Sequence, residues 1–521
     1  MEMCQTMHRR LPSVSCIALL MCLASAQAHA RGPDFDRDGF DDLAIGASFE
    51  DIGATLWQAG LVNVLYGSSM GLDDPSNRMT SIWQDQTGVE DASEAGDIFG
   101  NALAWGDFNG DCFDDLIVAA RGQDVNSEVL AGALHVFYGS LAGLATNNDH
   151  VLTHASSGIP GDPGDGTLGE TLVAGDFNGD GYDDVAVSSS WQNTQALIIY
   201  GGSGGLSGLN GPGAHTFPAF YAANSDSWAT GDFDCDGYED LALGEPDFTP
   251  DVLTVAAGRV DILYGTSGGL SSSGTEYFLD PAGPTQTHLF GAALAAGNFN
   301  NDSSGGHACQ DLAVGIPGAN DGEGAVVVLY GTSASGLQTA SPAMQYITQD
   351  WGTVQGTPEA GDHFGATLAV LRADRDAYPD LVISAVGENT GEGVVHVIRG
   401  SSSGLTDTDN QLWSQSTANV PDSPEPGDRF GLVLACGDFD GEGAEDLALT
   451  VTDELTISGG TASTVNVLYL SSSSGPPTIL AGEEWEQADI DVQVNEPDEH
   501  FGWSMAPPRP IGRKSPEQCL M

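Results

Sequence analysis

The chain has 521 residues, 70 of them glycine, with 74 acidic against 14 basic side chains and a formal net charge of −60. A surface this acidic repels nucleic-acid phosphates and anionic lipid, which argues against both as partners, while a hydrophobic content of 40% argues against a disordered acidic chain. The length exceeds one ordinary core, so the chain is several domains or one large repetitive one, and its glycine punctuation points to β structure.

Residues 1–30 read as an export signal. MHRR is a basic start, SCIALLMCLASA a short apolar run, and AQA and AHA end in cleavage positions at Ala28 and Ala30. No other apolar run approaches spanning length, so the mature chain is expected outside the cytoplasm, secreted or at the cell surface (extracellular or periplasmic), with no transmembrane segment after cleavage. Five cysteines remain: Cys112, Cys235, Cys309, Cys436 and Cys519. They are far apart and odd in number, which excludes a dense disulfide framework; one bridge, Cys235 to Cys309, and free thiols are both open.

From residue 31 a repeat takes over. PDFDRDGFDDLAIG (33) returns as GDFNGDCFDDLIVA (106), GDFNGDGYDDVAV (175), GDFDCDGYEDLALG (231) and GDFDGEGAEDLALT (437), with weaker copies at 297 and 372. Phe-Gly precedes most of these loops by eight residues, as at Phe99-Gly100, Phe290-Gly291, Phe364-Gly365 and Phe430-Gly431. After each loop comes a β-branched run closed by a turn, such as VNVLYGSSMGL (62) or VDILYGTSGGL (260), and a further apolar segment often carries Trp or Ile then Gln. Each unit reads as four short strands with Gly-rich turns. Seven such units predict an all-β, seven-bladed β-propeller over residues 31–505. The first unit enters at its acidic loop without a Phe-Gly strand, and the chain's end supplies one, Phe501-Gly502. The C-terminal strand is therefore expected to pair into the first blade and close the ring. Residues 506–521 form a Pro-rich basic tail, for which no structure is expected.

The acidic loops have metal-ligand spacing. In DFNGDGYDD, positions 1, 3, 5 and 9 carry side-chain oxygens, position 7 offers a backbone carbonyl, and a glycine at position 6 permits a left-handed turn. Hard oxygens at this alternation suit Ca²⁺; softer metals would want His or Cys. The expected ligand sets are Asp34, Asp36, Asp38, Phe40 and Asp42; Asp107, Asn109, Asp111, Phe113 and Asp115; Asp176, Asn178, Asp180, Tyr182 and Asp184; Asp232, Asp234, Asp236, Tyr238 and Asp240; and Asp438, Asp440, Glu442, Ala444 and Asp446, for about four or five Ca²⁺ ions. An EF-hand is excluded, because position 12 is Ile45, Val187 or Leu243 in a strand-like run rather than a glutamate entering a helix. In the second loop Cys112 replaces the glycine and must adopt a strained left-handed conformation or distort the loop. The fifth loop (Asn298, Asn300, Asp302) carries five extra residues before Asp311 and is expected to bind weakly. The sixth has Arg372 at position 1, whose own cation is expected to leave it empty.

These Phe-Gly pairs, DxDxDGxxD loops and followers such as LAVGIPG (312–318) resemble the FG-GAP repeat family, which includes the seven-bladed propeller of integrin α chains. The resemblance covers nearly the whole mature chain. It implies calcium loops between the first and second strands of a blade on a lower face, and ligand contact on the upper face, here 47–60, 188–195 and 244–258. Trp57, Trp191 and Phe248 are candidates for ligand contact there, with inter-blade packing as the simpler role.

Enzyme signals are weak. GxSxG occurs four times, always in the Ser/Gly turn and never at a strand-to-helix elbow. His150 and His154 fall on a predicted strand, which disfavours zinc, and no HExxH or P-loop is present. The expected function is an exported calcium-binding adhesion or ligand-binding module for an extracellular protein or glycan, not an enzyme. The alternative is a polysaccharide lyase or glycoside hydrolase on a propeller scaffold, which would need Arg121, Arg259 or Arg399 clustered with Tyr or His on one face.

Overall fold

The computed structural model describes residues 31–509 apart from 54, 73–77, 148, 190–193, 219–226, 250–255, 284–286, 334, 341–343, 456–460, 472–474, 487–500 and 508. The export signal, Trp191 and Cys519 lie outside the described residues.

Seven antiparallel four-stranded sheets follow one another along the chain, with one additional two-stranded hairpin. Blade 2 shows the pattern: Phe99–Gly106, Asp115–Ala120, Ala133–Phe137 and His150–Leu152 pair in sequence order. Blades 3 to 7 repeat it, opening at Leu168, Ser227, Leu294, Phe364 and Leu434. Blade 1 is the exception the sequence foretold. Its strands Leu43–Ala47, Leu61–Leu65 and Met79–Ile82 take Phe501–Met505 as their fourth, with Ile45 opposite Met505. Ring closure thus supplies blade 1 with the innermost strand that the other six blades carry in sequence order.

The middle strands are buried on both faces, as in LAIGA and DLIVAA, so they read as apolar runs without alternation. The reason is radial stacking. The apolar clusters each draw on two neighbouring blades: Ala44, Val62 and Ile82 meet Phe99, Leu116 and Val118 between blades 1 and 2, and Leu43 and Ile45 meet Val465 and Val467 between blades 1 and 7. The core is seven seams rather than one centre. The Phe-Gly glycine serves such a seam. Gly100 has φ 88°, and its carbonyl lies 2.3 Å from where a Cβ on Gly46 of the neighbouring blade would be. Neither position accommodates a side chain.

The tail expected to lack structure is placed as far as Arg509. Its backbone exchanges hydrogen bonds with Arg31 (3.1 and 3.2 Å), and its buried guanidinium pairs with Asp183 (2.7 Å) and Glu239 (3.3 Å) beside Trp105. It lines, with Pro507 and residues of the first strands of blades 2 to 6, a cavity of about 80 Å³ on the inner side of the ring. Cys235 and Cys309 form a disulfide; Cys112 is also disulfide-bonded, and Cys436 is a buried free thiol.

Candidate metal centre

Six of the acidic loops join the first strand of a blade to the second, and the one at 34–42 leads into the corresponding strand of blade 1, whose inner strand is Phe501–Met505, so all seven emerge on one face. Position 9 opens the second strand and is buried in every blade. One of its carboxylate oxygens accepts the position 2 amide and the other accepts an amide after the third strand. For Asp42 these are Phe35 (2.7 Å) and Gly67 (3.0 Å); for Asp184, Phe177 (3.0 Å) and Gly201 (2.9 Å). Asp311 and Asp380 of the two degenerate loops do the same. Position 9 is therefore a structural staple in all seven loops, whatever else it holds.

Position 1 accepts the amides of positions 5 and 6: Asp34 takes Asp38 and Gly39 at 3.1 Å each, and Asp232 takes Asp236 and Gly237 at 2.9 Å each. These bonds curl the loop inward. In the first, fourth and seventh loops the oxygens of positions 1, 3 and 9 consequently converge within 4.8 Å: Asp34, Asp36 and Asp42; Asp232, Asp234 and Asp240; Asp438, Asp440 and Asp446. The second and third loops keep the same backbone pattern, with Asn109 and Asn178 as the amide at position 3. Cys112 has φ 70°, so the loop keeps its left-handed turn with the strained residue.

In the first loop the Arg78 guanidinium contacts Asp36 and Asp38; the other loops with the full pattern show no such internal ion pair among the described residues. Burial, joined by the charges of Asp176, Asp180 and Asp183, pushes Asp184 up to about 9, and burial pushes Asp176, Asp232 and Asp438 to about 6. Buried and half-buried carboxylates within 4.8 Å of one another favour a bound cation. Those of positions 1, 3 and 9 are oxygen-only donors in an irregular shell, and the chemistry of this set fits a hard divalent ion.

The degenerate loops supply their own relief. In the sixth, Arg399 stands where other blades have tyrosine at the end of the third strand. Its guanidinium contacts Asp374 and Asp376. Arg372, expected to be the internal cation, instead donates to the Asp376 carbonyl (2.7 Å). In the fifth, Asn300 Nδ2 donates to Asp302 Oδ2 (3.1 Å), and the insertion forms the hairpin Ser303–Ser304 with His307–Ala308, tied to the fourth loop by the disulfide.

Three features escaped the sequence reading. Position 4 is left-handed in every loop: Arg37, Gly110, Gly179, Cys235, Asn301, Arg375 and Gly441 have φ between 51° and 76°. Position 8 is no ligand but a seam contact. Asp183 accepts the Asp107 amide (2.7 Å) and donates its own to the Asp107 carbonyl (3.0 Å); Glu445 does so with Arg372 (2.7 and 3.2 Å). Each such loop is thus held by the next blade. Third, the tyrosine closing the third strand reaches the following blade's turn: Tyr469 Oη accepts the Leu72 amide (2.8 Å) and Tyr66 Oη the Leu144 amide (2.9 Å).

The remaining candidates are placed as follows. Trp57 is 58% exposed, while Phe248 lies under Arg259, 4.5 Å from its ring centre. Arg121 pairs with Glu170, Arg259 with Glu245 and Asp261, and Arg399 with its own loop, so the three arginines lie in separate blades, each facing carboxylates. His154 is hydrogen-bonded to Pro160 (2.6 Å) and Ser189 (3.2 Å). In the GxSxG turns Ser68 and Ser401 close the turn on Gly71 and Gly404.

Seven four-stranded blades, ring-closed and carrying acidic loops on one face, define a β-propeller in which three loops bring together carboxylates that could hold a metal ion. The FG-GAP repeat family matches residues 30–60, 99–137 and 168–205. The chain carries FG-GAP repeats and is homologous to integrin alpha chains. Integrin alpha-V of Gallus gallus is 30% identical over 237 residues, 43% of this chain and 21% of that one. Phosphatidylinositol-glycan-specific phospholipase D of Mus musculus is 31% identical over 157 residues, 30% of this chain and 17% of that one. The alignments thus span about a fifth or less of either relative. Among solved structures, rhamnogalacturonan lyase YesW superposes with TM-score 0.40 and 11% identity over 86% of this chain and 72% of that one, a likeness too weak to carry an argument. No helix among the described residues is long and apolar enough to cross a membrane.

Proposed function

We propose that this protein is an exported, calcium-stabilised propeller that binds a protein or glycan outside the cytoplasm, an adhesion or surface-interaction module rather than an enzyme. The observation that carries the reading is the convergence of buried and half-buried carboxylates at positions 1, 3 and 9 in the first, fourth and seventh loops, whose backbone amides curl the loop around them. Ca²⁺ would be held by these oxygens in the first, second, third, fourth and seventh loops. It would offset their repulsion and, by binding the folded state alone, stabilise the ring. The homology to integrin alpha chains supports an extracellular role, and the opposite face, free of these loops, is the surface offered to a ligand. The dispersal of Arg121, Arg259 and Arg399 favours binding over degradation of an acidic polysaccharide.

The test is thermal unfolding of the mature chain in EDTA, Ca²⁺ and Mg²⁺ with ion counting, followed by binding to a glycan array and to immobilised matrix proteins. A Ca²⁺-selective rise in Tm with four or five loop ions supports the reading. No rise and no loop-bound metal overturns its calcium part, and no ligand on either surface overturns its binding part.

A further inference from the structure

Position 6 of the second acidic loop breaks the pattern of the others. Gly39, Gly181, Gly237 and Gly443 stand there with φ between 84° and 100°, and Cys112 holds the same turn at φ 70°. A side chain strains this backbone, and a bond through sulfur is a compensation that glycine cannot supply. Cys112 is disulfide-bonded. Its partner is not among the described residues, because Cys235 and Cys309 bond each other and Cys436 is a buried free thiol. Of the other cysteines in the sequence, Cys4, Cys16 and Cys22 fall in the segment read as an export signal, and Cys519 remains.

The path of the tail is an independent observation. Trp105, in the first strand of blade 2, donates through Nε1 to the Pro507 carbonyl (2.7 Å). Arg509 Nη1 donates to Asp183 Oδ2 (2.7 Å), and the same oxygen accepts the amide of Asp107 (2.7 Å), the opening residue of the second loop. The tail is thus delivered to the loop that carries Cys112. Cys519 follows Arg509 by ten residues, a reach of up to about 33 Å of extended chain. Arg513 and Lys514 in that interval complement Asp107 and Asp111 of the loop in charge.

We propose that Cys112 and Cys519 form a disulfide that fastens segment 510–521 across the second acidic loop and locks the ring. Closure otherwise rests on Phe501–Met505, which aligns three residue pairs with the first blade across a register shift. With the bond made, a closing strand that detaches is held beside its groove at high effective concentration and pairs again. The bond forms as the two thiols pass two protons and two electrons to a disulfide of the oxidising compartment, which leaves as two thiols. The assignment rests on the reading of residues 1–30 as a cleaved export signal.

The experiment takes the full chain, exported through its own signal and alkylated, and digests it with trypsin without reduction. Cleavage after Arg78, Arg121 and Lys514 releases 79–121 and 515–521. The expected product is one species joining the two, which separates on reduction. Recovery of 515–521 alkylated at Cys519, or Cys112 linked to any other cysteine, overturns the bond. Intact mass reports removal of residues 1–30 separately, so failure of the export reading and failure of the bond are distinguishable. The lock is read in Cys519→Ser, where Tm is expected to fall by up to about 6 °C for so long a closed loop. Amide exchange of Phe501–Met505 should speed while that of Asp380–Ala385 in blade 6 does not. Unchanged exchange at Phe501–Met505 overturns the lock. Should that variant not fold, Cys112→Gly, which restores the glycine of the other loops, is read in the same way.

Discussion

Replacing Tyr66 by phenylalanine deletes one oxygen from the seam between blades 1 and 2. The Leu144 amide that donates to it (2.9 Å) belongs to a residue only 7% exposed, so no water replaces the lost acceptor. A buried donor left unsatisfied costs about 1–3 kcal/mol. Unfolding entropy of about 2.1 cal/mol/K per residue over roughly 480 residues makes each kcal/mol worth about 1 °C in Tm. Tyr66→Phe should therefore lower Tm by about 1–3 °C in calorimetry with Ca²⁺ present, and speed amide exchange of the turn containing Leu144. Tyr138 is the internal control. It stands at the same place in blade 2, but its buried Oη has no hydrogen-bond partner, so Tyr138→Phe should leave Tm unchanged or raise it. Equal losses in the two variants, or unaltered exchange around Leu144 in Tyr66→Phe, would refute the idea that these hydroxyls latch the blades.

The metal-free protein should be more stable near pH 5 than near pH 8. Asp176, Asp232 and Asp438 (about 6) and Asp184 (about 9) are raised above their unfolded values, so their contribution is full below about pH 4 and is lost as pH rises through 6 to 9. The Ca²⁺-induced rise in Tm should correspondingly be larger at pH 8 than at pH 5, and a melting series in EDTA and in Ca²⁺ reads both. Arg372→Asp combined with Arg399→Tyr rebuilds the ligand pattern in the sixth loop, and ion counting should find one additional Ca²⁺. Removing the Cys235–Cys309 bridge, which spans 74 residues, should cost up to about 4 kcal/mol by the chain-entropy relation, a fall of up to about 4 °C in non-reducing calorimetry.

The blades were legible because four strand signals recur in phase with the acidic loops, and the closing strand was legible because Phe501-Gly502 supplied what the first unit lacked. What holds blade to blade was not. Position 8, the strand-end tyrosine and the Arg509 pairings join residues of different units, and no local pattern marks such a partner. The left-handed position 4 was hidden by its occupants, since Arg37, Cys235, Asn301 and Arg375 give no hint of a glycine-like backbone. One signal was readable: Arg399 breaks the tyrosine-glycine ending of its strand, and an arginine arriving in the blade whose loop begins with Arg372 points to an internal counter-ion.

The pairing of Leu43–Ala47 with Phe501–Met505 has a consequence for biogenesis. During synthesis the first blade to emerge is the last to be completed, because its innermost strand leaves the ribosome after all the others. Until then the growing molecule is an open arc with a bare β edge at its leading end, the state most exposed to sticking and to proteolysis. Passing through an export channel unfolded and closing the clasp only on the far side would confine that hazardous interval to one compartment. A chain shortened before Phe501 would remain in it permanently.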